Sequence, residues 1–149
     1  MGLLRLETKI ISEQWRVTSD EISGITEQMK PQSYKDLIVW QKAIVLARIT
    51  YQLTQRFPSE EKFGLVAQMR RSAVSIPSNI AEGQARHTTG EFIQFLSHAE
   101  GSVAELDTQL ILSSELGFCN SSDAAAAFDL LNDLRRMLNV LRRKLAIRK

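Results

Sequence analysis

The strongest constraint on the fold is a regular seam of apolar residues in the last quarter of the chain. Its members alternate at spacings of four and three: Ala127, Leu131, Leu134, Leu138, Leu141 and Leu145. Such a seam follows one side of an α-helix and is typical of helices in bundles and coiled coils. A lone helix cannot bury the seam, so the pattern predicts a fold in which other helices cover it.

Two earlier segments also have helical periodicity. A first helix is predicted from about Asp36 to Arg56. Its apolar face is wider than a four-helix core requires: Leu37, Trp40, Ile44, Ala47 and Tyr51, widened by Val45, Ile49 and Leu53. Ser59 followed by two acidic residues predicts the start of a second helix. That helix is predicted to bury a wide face made of two neighbouring stripes: Val66, Met69, Ala73, Ile76 and Ile80, then Phe63, Ala67, Val74 and Ala81.

A third helix is predicted by a capping box, in which Thr88 and Glu91 precede a run of apolar residues with helical spacing. The run extends to about Leu116, and the following Gly117 is a typical helix stop. Three small residues in mid-helix predict a tight contact with another helix: Gly101, Ser102 and Ala104.

Together these segments predict an all-α fold, an antiparallel up-down-up-down four-helix bundle at residues 31–149. Residues 1–30 form a short N-terminal extension with their own apolar pattern: Leu3, Leu6, Ile10 and Val17. This extension is interpreted either as a short amphipathic helix or as sequence upstream of the native start.

Composition narrows the class of protein further. The chain has 149 residues, of which 44% are hydrophobic and 24% charged, as expected for one ordinary globular domain. A single cysteine, Cys119, excludes an internal disulfide and a cysteine-based zinc cluster, and we expect neither a metal nor a cofactor. No apolar run approaches the roughly 20 residues that cross a bilayer. We therefore expect a cytoplasmic protein with no membrane partner.

Arg70 falls within the apolar arc of the second helix. Because an unpaired buried charge is costly, we expect a structural ion pair with Glu100 or Asp107. The alternative is that Arg70 faces a ligand or another subunit.

The last helix carries a cluster of arginines on the side opposite its leucine seam: Arg135, Arg136, Arg142 and Arg143. Together with Arg71 and Arg86 of the second helix, these residues are the predicted nucleic-acid-binding set. No aromatic stacking platform accompanies them, so contact with phosphate rather than base reading is expected. The alternative is an ordinary solvated helix face.

The chain resembles the four-helix-bundle proteins encoded in intervening sequences of bacterial 23S ribosomal RNA genes. The resemblance covers about residues 29–144. It rests on Tyr34-Lys35-Asp36-Leu37, Trp40 and Ala43; on Gln68, Arg70-Arg71-Ser72-Ala73, Ser75-Ile76-Pro77-Ser78-Asn79-Ile80-Ala81-Glu82-Gly83 and Arg86; and on Glu91-Phe92, Phe95-Leu96, Gly101-Ser102 and Glu105-Leu106. A more distant similarity, at the level of fold, is to the accessory variability proteins of diversity-generating retroelements.

This resemblance implies a homo-oligomer, typically a ring of five subunits, with no catalytic residues to carry over. The retroelement relatives suggest structured RNA as a ligand and a reverse transcriptase as a further partner. We therefore expect a non-enzymatic, RNA-binding homo-oligomer; the alternative is a protein–protein interaction scaffold. An enzyme is disfavoured because its candidate groups lack the spacing of a bundle metal site: Glu82, Glu100 and Glu105 with His87 or His98.

Overall fold

The structure is a computed structural model that describes residues 33–147. The predicted extension at residues 1–30 lies outside the described residues. Four α-helices account for most of the described part: α1 (Ile38–Thr54), α2 (Leu65–Gln84), α3 (Thr89–Glu115) and α4 (Ser121–Ile147). Single turns of 3-10 helix at Tyr34–Asp36 and Ser59–Glu61 precede α1 and α2.

The four helices pack as a square in which each helix contacts two neighbours, with α2 and α4 each lying between α1 and α3. Contacts between α1 and α4 run in opposite directions along the two helices, since Lys42 bonds Asp133 whereas Arg56 lies 4.0 Å from Asp123. The same antiparallel order joins α3 to α4 and α2 to α3. The predicted all-α four-helix bundle is confirmed.

Local signals define both ends of α3. Thr88 caps its N-terminus in the predicted capping box, with Glu91 N–H donating to Thr88 Oγ1 at 3.2 Å. At the other end Gly117 has a φ of 76°, and the amide of Phe118 donates to the carbonyl of Ser113 at 2.9 Å. This is a Schellman motif, in which the left-handed conformation favours glycine.

The start of α2 differs from the prediction. Ser59 begins the preceding 3-10 turn, and α2 itself starts at Leu65. The carboxylate of Glu61 accepts a hydrogen bond from the Leu65 amide at 3.0 Å. An acidic side chain at the positive end of the helix dipole therefore takes the place expected for the Ser59 hydroxyl.

The core lies along the centre of the square. The predicted α2 stripe is fully buried at Met69, Ala73, Ile76 and Ile80, and the α4 seam is buried from Ala127 to Leu138. Each large aliphatic side chain buried in this way contributes about 1.5–3 kcal/mol relative to an exposed one. Farther along α4, Leu141 and Leu145 are only partly covered.

Only part of the wide apolar arc of α1 enters the core. The stripe that enters the core lies beside the predicted one: Val39, Lys42, Ala43, Leu46, Ile49, Thr50, Leu53 and Thr54. On the predicted stripe, Ile44 and Tyr51 are 43% and 42% exposed, and Trp40 is partly covered. Because α1 is apolar on both stripes, its periodicity does not determine which of them faces the other helices.

Candidate functional site

Two of the predicted RNA-binding arginines join α4 to α3. Arg135 forms an ion pair with Asp107 at 3.1 Å, and Arg142 donates from Nε to Glu100 at 3.0 Å. All four side chains are partly exposed, so each pair contributes at most about 1 kcal/mol to stability. The pairs nevertheless neutralise charge that the sequence interpretation left free for a ligand.

The other two arginines of the α4 cluster differ from each other. Arg136 pairs with Asp133 at 2.7 Å within the same helix, although its side chain remains 75% exposed. Arg143 is exposed and has no partner among residues 33–147. The structure therefore brings the four arginines to one side of α4, where three of them pair with acidic side chains; Arg136 shares its partner Asp133 with Lys42.

The two candidate arginines predicted on the second helix lie in different surroundings, since Arg71 is part of α2 and Arg86 lies two residues beyond its end. Arg86 pairs with Glu82 at 2.7 Å and stacks its guanidinium 4.7 Å from the ring centre of Phe95. Arg71 is exposed, and no residue of the described part of the chain pairs with it. Neither residue lies on α4, so the six predicted residues do not form one continuous cluster.

The predicted ion pair of Arg70 requires correction. Arg70 Nε donates to Thr54 Oγ1 at 3.0 Å, and the guanidinium lies 4.6 Å from the ring centre of Tyr51. Glu100 and Asp107, its predicted partners, bind arginines of α4 instead. The physical reason is position, since Arg70 extends from the side of α2 that faces α1, whereas both carboxylates lie where α3 faces α4.

A second surface consists of apolar side chains on the outside of α1 and α2. We call it the α1–α2 face, and it comprises Ile44, Ala47 and Tyr51 of α1 with Ala67 and Val74 of α2. Ile44, Tyr51 and Val74 are each 42–43% exposed. The contact of Arg70 with Tyr51 shows that the stripes of the two helices adjoin. The sequence interpretation found both stripes and expected the α2 stripe to be buried, which is wrong at Ala67 and Val74.

The outer side of α3 carries another apolar surface, the α3 face, which comprises Ala104, Thr108, Ile111, Leu112 and Leu116. The last three residues are 46–53% exposed. A Cβ atom added at Gly101, one turn before this surface, would meet nothing within 4 Å. Of the three small residues predicted to mark a tight helix contact, Gly101 and Ala104 are exposed, whereas Ser102 meets α2 with its Oγ 2.9 Å from Ser75 Oγ.

Titratable groups raised as an alternative catalytic set lie apart. Glu82 and Glu100 are each held by an arginine, and His98 packs edge-on against the ring of Phe95 at 5.9 Å. Within residues 33–147 no cluster of three or more His, Cys, Asp or Glu side chains is arranged to hold a metal ion. In the same range, no helix is long and apolar enough to cross a membrane.

The fold and its surfaces define a class of small antiparallel four-helix bundles whose main features are apolar outer faces and paired surface charges. Residues 35–140 match the model of one protein family, the 23S rRNA-intervening sequence proteins. Since the match covers most of the chain, the protein belongs to that family. None of the curated proteins compared with the chain matches it.

Proposed function

We propose that the protein is a non-catalytic helical bundle that works by binding copies of itself. The observation that supports this proposal is the α1–α2 face, where Ile44, Tyr51 and Val74 remain more than 40% exposed on two adjoining helices. Single exposed apolar residues are common, but a continuous apolar patch on a small protein usually marks an interface.

The side chains on this face suit a protein partner. Tyr51 combines a large apolar ring with a stacked guanidinium from Arg70, and aromatic and arginine side chains are enriched at protein interfaces. Burying the face against another copy would remove its apolar surface from water, which favours association. A closed ring is the expected form, and five subunits is the number that the family resemblance implies.

Sedimentation velocity of the full chain at micromolar concentration tests this proposal. We expect a closed oligomer for the wild type and a monomer for Ile44→Glu, because a carboxylate on the face would have to be desolvated in an interface. Ile147→Glu is the matched control, since Ile147 is 82% exposed at the end of α4 and lies outside the face. A monomeric wild type would contradict self-assembly.

A second candidate function is binding of structured RNA by the arginine cluster of α4. One observation favours it: Arg143 is exposed without a partner in residues 33–147, next to Arg142 and two turns beyond the strongly exposed Arg136. An ion-paired guanidinium still has unused N–H groups that can donate to phosphate. Assembly would bring several such clusters together and strengthen their combined field.

Salt-titrated binding to a structured RNA tests this second function. Because Arg135 and Arg142 are already neutralised by carboxylates of α3, we expect a shallow salt dependence. Arg143→Gln should lower the slope of log affinity against log salt by about one for each phosphate that the arginine neutralises. Lys62→Gln, which removes an exposed lysine outside α4, is the control and should leave the slope unchanged. Failure of the wild type to bind at about 50 mM salt would reject RNA binding while leaving self-assembly intact.

A further inference from the structure

We propose that the α1–α2 face of one copy binds the α3 face of the next copy. This inference rests on the proposed self-assembly and names the two surfaces that carry it. Both faces expose large apolar side chains, with Ile44, Tyr51 and Val74 on one and Ile111 and Leu112 on the other. Four-helix packing leaves both faces uncovered within the described part of the chain.

The charges that flank the two faces are opposite in sign. Arg48 lies one turn beyond Ile44 on α1, and Arg71 lies one turn beyond Ala67 on α2. Both arginines are exposed and have no partner among residues 33–147. They stand out because most other surface arginines of the bundle are paired with carboxylates. The α1–α2 face therefore presents uncompensated positive charge beside an apolar surface.

The α3 face has the complementary character. Glu105 and Glu115 are exposed on the same side of α3 as Thr108 and Leu112. The carboxylate of Glu105 receives a hydrogen bond only from the neutral Gln109 amide, at 3.4 Å, and Glu115 has no partner in the described part of the chain. No cation within the described range compensates either acid, so this face presents uncompensated negative charge.

Opposite charges favour contact between the two different faces over contact of either face with itself. Pairing two α1–α2 faces would bring Arg48 and Arg71 of both copies together, and pairing two α3 faces would do the same with Glu105 and Glu115. Like charges placed together in an interface cost several kcal/mol and exclude wrong partners. The small side chains along α3, with Gly101 and Ala104 in open surroundings, also allow a close approach by another helix.

A contact between two different faces is head-to-tail. Any open chain of subunits then leaves one α1–α2 face free at one end and one α3 face free at the other. Closing the chain into a ring covers both, whereas a two-fold dimer that pairs like faces would leave each copy with one face uncovered. Because the surface charges disfavour the pairing of like faces, they favour a ring over such a dimer.

Charge reversal on the full chain tests the pairing by sedimentation velocity. Arg48→Glu/Arg71→Glu makes both faces acidic, and Glu105→Lys/Glu115→Lys makes both basic. We expect each double variant to weaken association by at least about a hundredfold, which is tenfold for each attraction turned into repulsion. The variant carrying all four changes exchanges the two charges and should assemble again. Lys62→Glu/Arg143→Glu reverses two exposed cations off both faces and should assemble like the wild type.

The possible outcomes separate the two proposals. If the wild type assembles and either double variant assembles equally well, the interface lies on other faces although self-assembly stands. If both double variants dissociate and the fourfold variant stays monomeric, the two faces do not bind each other. A monomeric wild type would overturn both proposals. Circular dichroism establishes whether each variant is folded. If a charge-reversal variant is unfolded, Leu112→Glu, which should dissociate the assembly, takes its place in the test.

Discussion

At Gly83, α2 and α3 approach too closely to admit a side chain. A Cβ atom added at this residue would lie 2.7 Å from Phe95 Cβ and 2.9 Å from Phe92 Cδ2. Glycine inside a helix costs up to about 1 kcal/mol relative to alanine, and Gly83 lies in the last turn of α2. The close packing of α2 against two phenylalanines of α3 offsets this cost, since it buries aromatic surface that would be exposed if the two helices lay farther apart.

We expect Gly83→Ala to destabilise the protein by about 1–2 kcal/mol. Overpacking costs about 1–3 kcal/mol, and the contact with Phe95 Cβ cannot be relieved by a rotamer change, so the loss exceeds the gain in helix propensity. Gly90→Ala is the control, because a Cβ there meets nothing within 4 Å, and it should be neutral or stabilising. Urea denaturation measures the free energy of unfolding of both variants. Equal stability of Gly83→Ala and the wild type would mean that the two helices separate without cost.

Lys42 is the charged residue that the sequence interpretation missed. It is 5% exposed on the buried side of α1, and its ammonium binds the carboxylate of Asp133 on α4 at 2.8 Å. Arg136 binds the other carboxylate oxygen of Asp133 at 2.7 Å. A buried ion pair of this kind contributes little net stability, but loss of one partner leaves the other charge in the core.

Asp133→Ala should therefore cost about 3 kcal/mol, at the low end of the range for a broken buried pair because Asp133 is partly exposed. Lys42→Met should cost less than about 1 kcal/mol, since it removes the charge and keeps the volume. Arg136→Gln removes the exposed partner of the same carboxylate and should change stability by no more than about 0.5 kcal/mol. Chemical denaturation of the three variants measures their free energies of unfolding and so ranks the three losses of stability. If Lys42→Met lowered the free energy of unfolding more than the other two variants, the stability of the fold would depend on the charge of Lys42 itself.

At the scale of single helices, features set by neighbouring residues could be predicted and features set by other helices could not. The capping box at Thr88 and the stop at Gly117 depend only on a few adjacent residues, and the structure has both. The inward side of α1 depends on which of two apolar stripes packs better. The small Ala43 with the flexible Leu46 packs there, whereas Trp40 and Tyr51 remain outside.

The capping box also makes a prediction about pH. The hydrogen bond from Thr88 Oγ1 to Glu91, at 2.7 Å, holds the pKa of the Glu91 carboxyl below its ordinary value. A lowered pKa stabilises the fold above the unfolded value of about 4.3 and loses this effect as the pH falls through the folded value.

Glu91→Gln keeps a side chain that can complete the box but does not titrate, so it serves as the matched control. The stability advantage of the wild type over Glu91→Gln should be present at neutral pH and should shrink as the pH falls below about 4.3. Urea denaturation of both proteins from neutral to acidic pH measures this difference. A difference that stays constant across the range would contradict the role of the ionised carboxylate.

For the whole molecule, the charge of a surface depends on the helices beside it. Helical spacing correctly grouped the arginines of α4 into one cluster, but it could not reveal that α3 places Asp107 and Glu100 against Arg135 and Arg142. These contacts join residues of different helices, so they follow from packing rather than from the pattern of one helix. The same packing leaves the arginines beside the α1–α2 face unpaired within residues 33–147, which moves the main candidate site from α4 to that face.

Self-assembly through that face links stability to protein concentration. Association favours the folded state by mass action, so the thermal midpoint of the wild type should rise as its concentration is increased over about a hundredfold range. Ile44→Glu, which should stay monomeric, should unfold at one midpoint throughout that range, while Ile147→Glu should follow the wild type. Differential scanning calorimetry at several concentrations provides the measurement. If the wild-type midpoint does not move while sedimentation shows an oligomer, dissociation precedes unfolding, and each bundle is stable without the neighbours that cover its apolar faces.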